Sequence, residues 1–182
     1  MTIAADYGAV HLRVAIALGS NVGDRHETLA SAIAAIAALE SVTVLAVTPT
    51  DETIAIGPPQ APFLNQMLLL DTDCSLPALL ALLQVIEEQH GRTRLQPKGP
   101  RTLDLDIVWV RDTIITTREL LVPHPGLLDR DFWHRELAVL LGVEAAREAI
   151  ASAQVHAGMD TAPHDDAHGV RRPSGTWDAS LR

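Results

Sequence analysis

The chain predicts an α+β fold, a ferredoxin-like sandwich with an antiparallel sheet, helices packed on it and extra C-terminal helices. Two observations carry this. Apolar and helix-period segments follow one another in the order strand, helix, strand, strand, helix, strand, which closes into a single sheet covered on one face by two helices. The 182 residues are 47% apolar and 20% charged, which suits one buried core and argues against general disorder. The expected division is a single domain over residues 12–152 and a weakly ordered polar tail over 153–182, where periodicity stops.

Leu12 to Leu18 (LRVAIAL) is a short apolar run that reads as a buried strand. The turn from Gly19 to Asp24 follows, rich in residues that tolerate positive φ. Asp24 is placed to cap a helix, with Glu27 three residues on, and Leu29, Ile33, Ile36 and Leu39 give that helix an apolar face. Val42 to Val47 and the region around Thr53 to Ile56 read as extended, and Phe63 to Leu70 as another strand. Gly57 to Pro62 between them is a loop. Leu76 to His90 carries leucines at helical spacing and stops at Gly91. Thr102 to Val110 alternates and reads as a strand, closed by Arg111-Asp112 into a short strand at Thr113 to Thr116. Residues 131–152 suggest one or two more helices.

The charge of −9 is unevenly spread. Residues 14–91 hold one basic residue and nine acids, whereas 92–135 hold eight basic residues and six acids. Arg92, Arg94, Lys98 and Arg101 fall within ten residues, a crowding that suits an anion site because the guanidinium fork matches phosphate oxygens. No basic surface of the kind that binds nucleic acid is present. The lone Cys74 excludes a disulfide framework and points to a reducing, cytoplasmic compartment. No apolar stretch is long enough to span a membrane.

Within Leu103-Asp104-Leu105-Asp106-Ile107, alternation puts the apolar residues on one face and both aspartates on the other. Carboxylates at i and i+2 stand about 6.5–7 Å apart at the backbone, a separation from which both can converge on hard cations. Outward Asp on a half-solvated strand is the plainer reading, but Asp is depleted in strands and these two follow four cations. Carboxylates on magnesium beside arginines suit phosphoryl or pyrophosphoryl transfer. No P-loop or Rossmann glycine pattern is present, so those nucleotide modes are excluded. Phe63 and Phe132 are the only phenylalanines, and both lie beside polar segments. They either pack in the core or sandwich a flat heterocycle, with Asn65 on the face of Phe63 to meet a polar ring edge. His124, between Pro123 and Pro125, either donates to a phosphate or caps a turn.

Five segments in order resemble the 6-hydroxymethyl-7,8-dihydropterin pyrophosphokinase family. They are Ala17 to Arg25, Gly57 to Asn65, Glu87 to Arg94, the string Gly99-Pro100-Arg101-Thr102-Leu103-Asp104-Leu105-Asp106-Ile107, and Val122 to Phe132 with its Val-Pro-His-Pro and Arg-Asp-Phe motifs. The resemblance implies transfer of diphosphate from ATP to the hydroxymethyl group of 6-hydroxymethyl-7,8-dihydropterin, releasing AMP, in folate biosynthesis. It implies Asp104 and Asp106 as ligands of two Mg²⁺ ions, with Arg92 and Arg101 joining them as catalytic residues. Gln84, Glu87, Arg92, Arg94, Arg101, the backbone at Ile107, His124 and Arg130 would meet the nucleotide. Thr53, Ile56, Phe63, Asn65 and Phe132 would meet the pterin. Loops 53–62 and 92–100 are candidate lids, and dihydropteroate synthase is the expected functional neighbour. The alternative is a non-catalytic relative that binds a pterin or nucleotide as an interaction module. Several positions depart from the family pattern: Asp51 replaces an aromatic, Ile54-Ala55 a proline-bearing stretch, Lys98 a common Trp, and Trp133 to Glu136 an apolar strand.

Overall fold

The computed structural model describes residues 11–55, 57–92 and 99–159. The expectations placed on Ile56, Arg94, Lys98 and the tail from residue 160 lie outside the described residues.

Strand β1 (Leu12–Ser20) sits centrally, antiparallel to β4 (Phe63–Thr72) on one side and β5 (Asp104–Val110) on the other. Strand β2 (Val42–Val47) pairs with the far edge of β4, and β3 (Asp51–Thr53) continues that edge. The order β2-β4-β1-β5, antiparallel throughout, is the sandwich the element order predicts. Helices α1 (Arg25–Ala37) and α2 (Leu76–Gln89) start where local chemistry places them. Asp24 Oδ1 accepts the Glu27 N–H at 3.1 Å, and the Ser75 hydroxyl accepts that of Ala78 at 3.4 Å. Gly91, at φ +76°, ends α2 in a conformation that other residues adopt at a cost.

Both faces of the sheet are covered: the two helices expected on one face lie there, and the extra C-terminal helices take the other. Ile16, Leu18, Leu68 and Leu105 pack on Leu29 and Ile36 of α1 and on Leu79 and Leu83 of α2. The opposite face carries Ala15, Ala17, Met67 and Val108 beneath α3 (Asp131–Leu141) and α4 (Val143–Met159). Small residues on the sheet and Ala146, Ala149 and Ala153 on α4 let this second layer approach closely. Helix α4 ends at Met159, and Ala153 on it is buried.

One correction concerns the chain after β5. The short strand covers only β6 (Ile115–Thr116) and pairs with β7 (Leu121–Val122) as a separate ribbon. Asp112, at φ 51°, turns the chain away from the sheet instead of returning it along β5. Likewise the extended stretch expected around Thr53 to Ile56 lies earlier, at Asp51–Thr53. None of the helices among the described residues is long and apolar enough to cross a membrane.

Candidate active site

Side-chain alternation along β5 sends Leu103, Leu105 and Ile107 into the first core and leaves Asp104 and Asp106 on the face toward α3. Both carboxylates line a cavity of about 450 Å³. Its floor is β1 at Ala17, Leu18 and Gly19; Ala17 and Gly19 are small and Leu18 packs its side chain in the first core, which keeps this sheet surface open. A Cβ at Gly19 would stand 3.3 Å from Asn65 Oδ1 and 3.5 Å from the Phe63 ring. Glycine here therefore gives Phe63 and Asn65 their room.

One end of the cavity is charged. Arg101 pairs with Asp104 Oδ2, and Arg92 Nη2 lies 2.7 Å from Asp104 Oδ1. Arg130 Nη1 stands 3.5 Å from Asp106 Oδ2, its guanidinium carbon 4.2 Å from the centre of the Trp133 ring. Burial, and then the neighbouring Asp104, push the Asp106 carboxyl above the ordinary carboxylate range, while His124, Arg130 and Arg101 pull it back. Two carboxylates held this close repel one another, and an additional cation between them would relieve that repulsion.

His124 caps a turn and also faces the cavity. Its N–H donates to Val108 O at 2.8 Å, which pins it beside β5. Its Nδ1 accepts the Gly126 N–H at 2.9 Å, capping the 3-10 turn Pro125–Leu128. The neutral ring therefore carries its proton on Nε2, 4.0 Å from Asp106 Oδ1. Burial, the largest influence, lowers its pKa against the pull of Asp106, which favours that neutral form. Gly126 is required here by packing, since a Cβ would lie 2.6 Å from the Trp133 ring.

The other end is aromatic and neutral. Phe63 and Phe132 both line it, with Thr53, Ile54 and Ala55 at the rim. Asn65 is buried, and its Nδ2 donates to Thr53 Oγ1 at 2.9 Å and to Asp51 O at 3.3 Å. Phe132 meets Trp133 edge-on at 6.1 Å, so the first turn of α3 supplies both a cavity wall and a core anchor.

The nucleotide residues expected from sequence divide. Arg101, His124 and Arg130 line the cavity, whereas Gln84, Glu87, Ile107 and Arg92 do not, the Arg92 side chain lying 11% exposed between Glu87 and Asp104. Gln84 is exposed on α2, Ile107 is buried in the first core, and the Glu87 side chain is 3% exposed. Two further residues organise the site. Asn21 accepts the Arg101 N–H at 2.8 Å and donates to Gln60 and to Ala61 O, both at 3.0 Å, which ties the loop before β4 to the segment leading into β5. Its Gly-Ser-Asn neighbourhood signals only a turn. Arg135 donates to Asp51 at 2.8 Å and to Asp131 at 3.2 Å. Two of the departures from the family pattern, Asp51 and the Trp133 to Glu136 segment, are thus ion-pair partners.

The family profile of 7,8-dihydro-6-hydroxymethylpterin-pyrophosphokinase matches residues 15–142. A Bacillus subtilis protein named 2-amino-4-hydroxy-6-hydroxymethyldihydropteridine pyrophosphokinase is 37% identical over 161 residues, 84% of this chain and 96% of its own length. A Pseudomonas aeruginosa protein of the same name is 38% identical over 66% of this chain and 75% of its own. The Schizosaccharomyces pombe folic acid synthesis protein fol1 is 37% identical over 69% of this chain, a match that covers only 17% of that longer protein. Profile and relatives agree with the charged and aromatic ends of one cavity: the chain belongs to the 7,8-dihydro-6-hydroxymethylpterin-pyrophosphokinase family.

Proposed function

We propose that this cavity transfers a diphosphoryl group from ATP to the hydroxymethyl group of 6-hydroxymethyl-7,8-dihydropterin, the family's reaction in folate biosynthesis. The observation that carries the reading is the adjacency, in one cavity, of an Asp104/Asp106 pair flanked by cations and a Phe63/Phe132 end with an amide edge at Asn65. A polyphosphate suits the first end and a flat heterocycle the second.

In this reading the pterin ring lies between Phe63 and Phe132, with Asn65 at its polar edge and Thr53 at the rim. The hydroxymethyl oxygen then attacks the β-phosphorus in line and gives up its proton to solvent, the bond from that phosphorus to the oxygen bridging to Pα breaks, and AMP leaves with that oxygen. Arg92, Arg101 and Arg130 hold phosphate oxygens and stabilise the charge spread over them. Neutral His124 donates its Nε2 proton to a phosphate oxygen as a hydrogen bond. Most of the acceleration is positioning and charge neutralisation.

The residues present fit magnesium. Two cavity-facing carboxylates stand at i and i+2, and Asp104 Oδ1 is buried without an aligned hydrogen bond. Among the described residues no three His, Cys, Asp or Glu side chains gather as a ligand set, which suits an ion that takes one or two carboxylates and completes its shell with phosphate oxygens and water. Asp104 and Asp106 would hold two Mg²⁺ ions, which supply neutralisation of the triphosphate and its alignment.

Pterin-dependent AMP formation tests the function. With ATP and magnesium, AMP should appear only when the hydroxymethyldihydropterin is added; its absence would leave the chain a non-catalytic binder. Phe132→Ala should raise the pterin dissociation constant roughly 3- to 10-fold, the worth of one lost stacking partner. Calorimetric titration reads this, and an unchanged constant returns Phe132 to a packing role. The similarity of this chain to part of longer folic acid synthesis proteins supports a neighbour that consumes the pterin diphosphate, for which dihydropteroate synthase is the proposed candidate. Free Cys74 supports a cytoplasmic location.

A further inference from the structure

We infer that Glu87 is a positioning residue rather than a nucleotide ligand: one buried carboxylate fixes the backbone between the two cavity aspartates and holds Arg92 beside Asp104. The inference rests on the reading of Asp104 and Asp106 given above. Strand β5 lies at an edge of the sheet, with β1 on one side only. An outward N–H on such a strand needs a partner when it is buried, because an unpaired one is costly. Leu105 has such an N–H, and Glu87 Oε1 accepts it at 2.7 Å from the last turns of α2. Leu105 is the one residue between Asp104 and Asp106. Its amide plane sets how the adjoining peptides lie, and through them the direction in which both carboxylates leave the strand.

The same carboxylate pairs with Arg92, and the Arg92 side chain reaches on to Asp104. The three side chains are 3%, 11% and 13% exposed, so the chain of charges from α2 to β5 is screened little by water. Arg92 is anchored twice, since its own N–H donates to Glu87 O at 3.0 Å. Without the Glu87 charge, Arg92 would have Asp104 as its remaining acid in this set and would compete for the carboxylate that the function requires. Glu87 therefore shares the arginine and keeps Asp104 from becoming its sole counterion.

Two variants separate the two roles. Glu87→Gln retains an amide oxygen that can accept from Leu105 but removes the charge on Arg92, whereas Glu87→Ala removes both. Hydrogen exchange of the Leu105 amide, read by NMR without substrates, should stay slow in Glu87→Gln and quicken in Glu87→Ala. Both variants should lose about 10- to 100-fold in kcat, the usual cost of disturbing groups that orient ligands. Adenosine, which lacks phosphates, should compete with ATP as well against both variants as against the unaltered chain. Weaker adenosine competition in Glu87→Gln would overturn the inference in favour of direct nucleotide contact. Unchanged Leu105 exchange in Glu87→Ala, or unchanged kcat in both, would overturn it as well. The amide exchange needs no turnover, so an unaltered chain that makes no AMP defeats the functional reading while leaving this measurement to decide the positioning.

Discussion

Asp104→Ala and Asp106→Ala each lower turnover by at least about 10²–10³-fold, as expected when a group that organises transition-state charge is removed. Steady-state AMP production checks this, and near-normal turnover in either variant would remove the metal assignment. The two should differ in stability. Asp106 faces His124 at 4.0 Å and Arg130 at 3.5 Å, long contacts on partly exposed side chains, so its loss should leave the melting temperature nearly unchanged. Asp104 is a direct partner of both Arg92 and Arg101, and its removal leaves a mostly buried guanidinium with Glu87 as its remaining counterion. Asp104→Ala should therefore melt lower than Asp106→Ala, while both retain the folded circular dichroism spectrum.

Glu136→Gln stabilises the protein at alkaline pH and leaves it unchanged in acid. Glu136 is 5% exposed on the sheet-facing side of α3, and neither carboxyl oxygen has a hydrogen-bond partner. Burial, followed by the nearby Asp51, pushes its carboxyl up to about 8, with Arg135 opposing. A folded-state pKa above the unfolded value of 4.5 means that between those two values the native chain holds a proton the unfolded chain has lost. Stability contributed by this group is therefore full below about 4.5, falls as pH rises toward 8, and is flat above. At about 1.4 kcal/mol per unit the whole fall is of order 5 kcal/mol. Glutamine matches the protonated acid in shape and lack of charge, so the variant keeps the acid-side stability and loses the slope. Melting curves from pH 4 to 9 should converge in acid and separate by roughly 5–15 °C at the alkaline end. Parallel curves would mean that Glu136 finds a partner in solution.

What is legible in the sequence is local or strictly periodic. The alternation in Leu103 to Ile107 marks which side chains share a face, because a strand repeats every two residues, and the cap at Asp24 acts within three residues of itself. The cavity's aromatic end is legible through rarity, since two phenylalanines beside polar segments invite a reason. What stays hidden involves partners far along the chain. Asp51 meets Arg135 across 84 residues, and nothing in either neighbourhood names the other. Glu87 stands near a helix end, and local spacing does not reveal that Leu105 presents an N–H to it from an edge strand. The second helical layer is visible as extra helices, but its docking face depends on small residues of β1 whose role emerges only once the sheet exists.

The register slip between β1 and β5 at Ala15/Ile16 gives β5 a phase break. Upstream of it Asp104, Asp106 and Val108 share the parity that faces α3, and downstream Val110 falls into the opposite core while Trp109 joins the side of Val108. Chemistry and folding thus keep separate counts along one strand. A residue inserted beyond the slip shifts only apolar side chains whose cores can repack, whereas the same insertion at Leu105 turns a carboxylate into the greasy face beneath α1 and α2. The slip insulates the site from length changes in the hairpin that follows it.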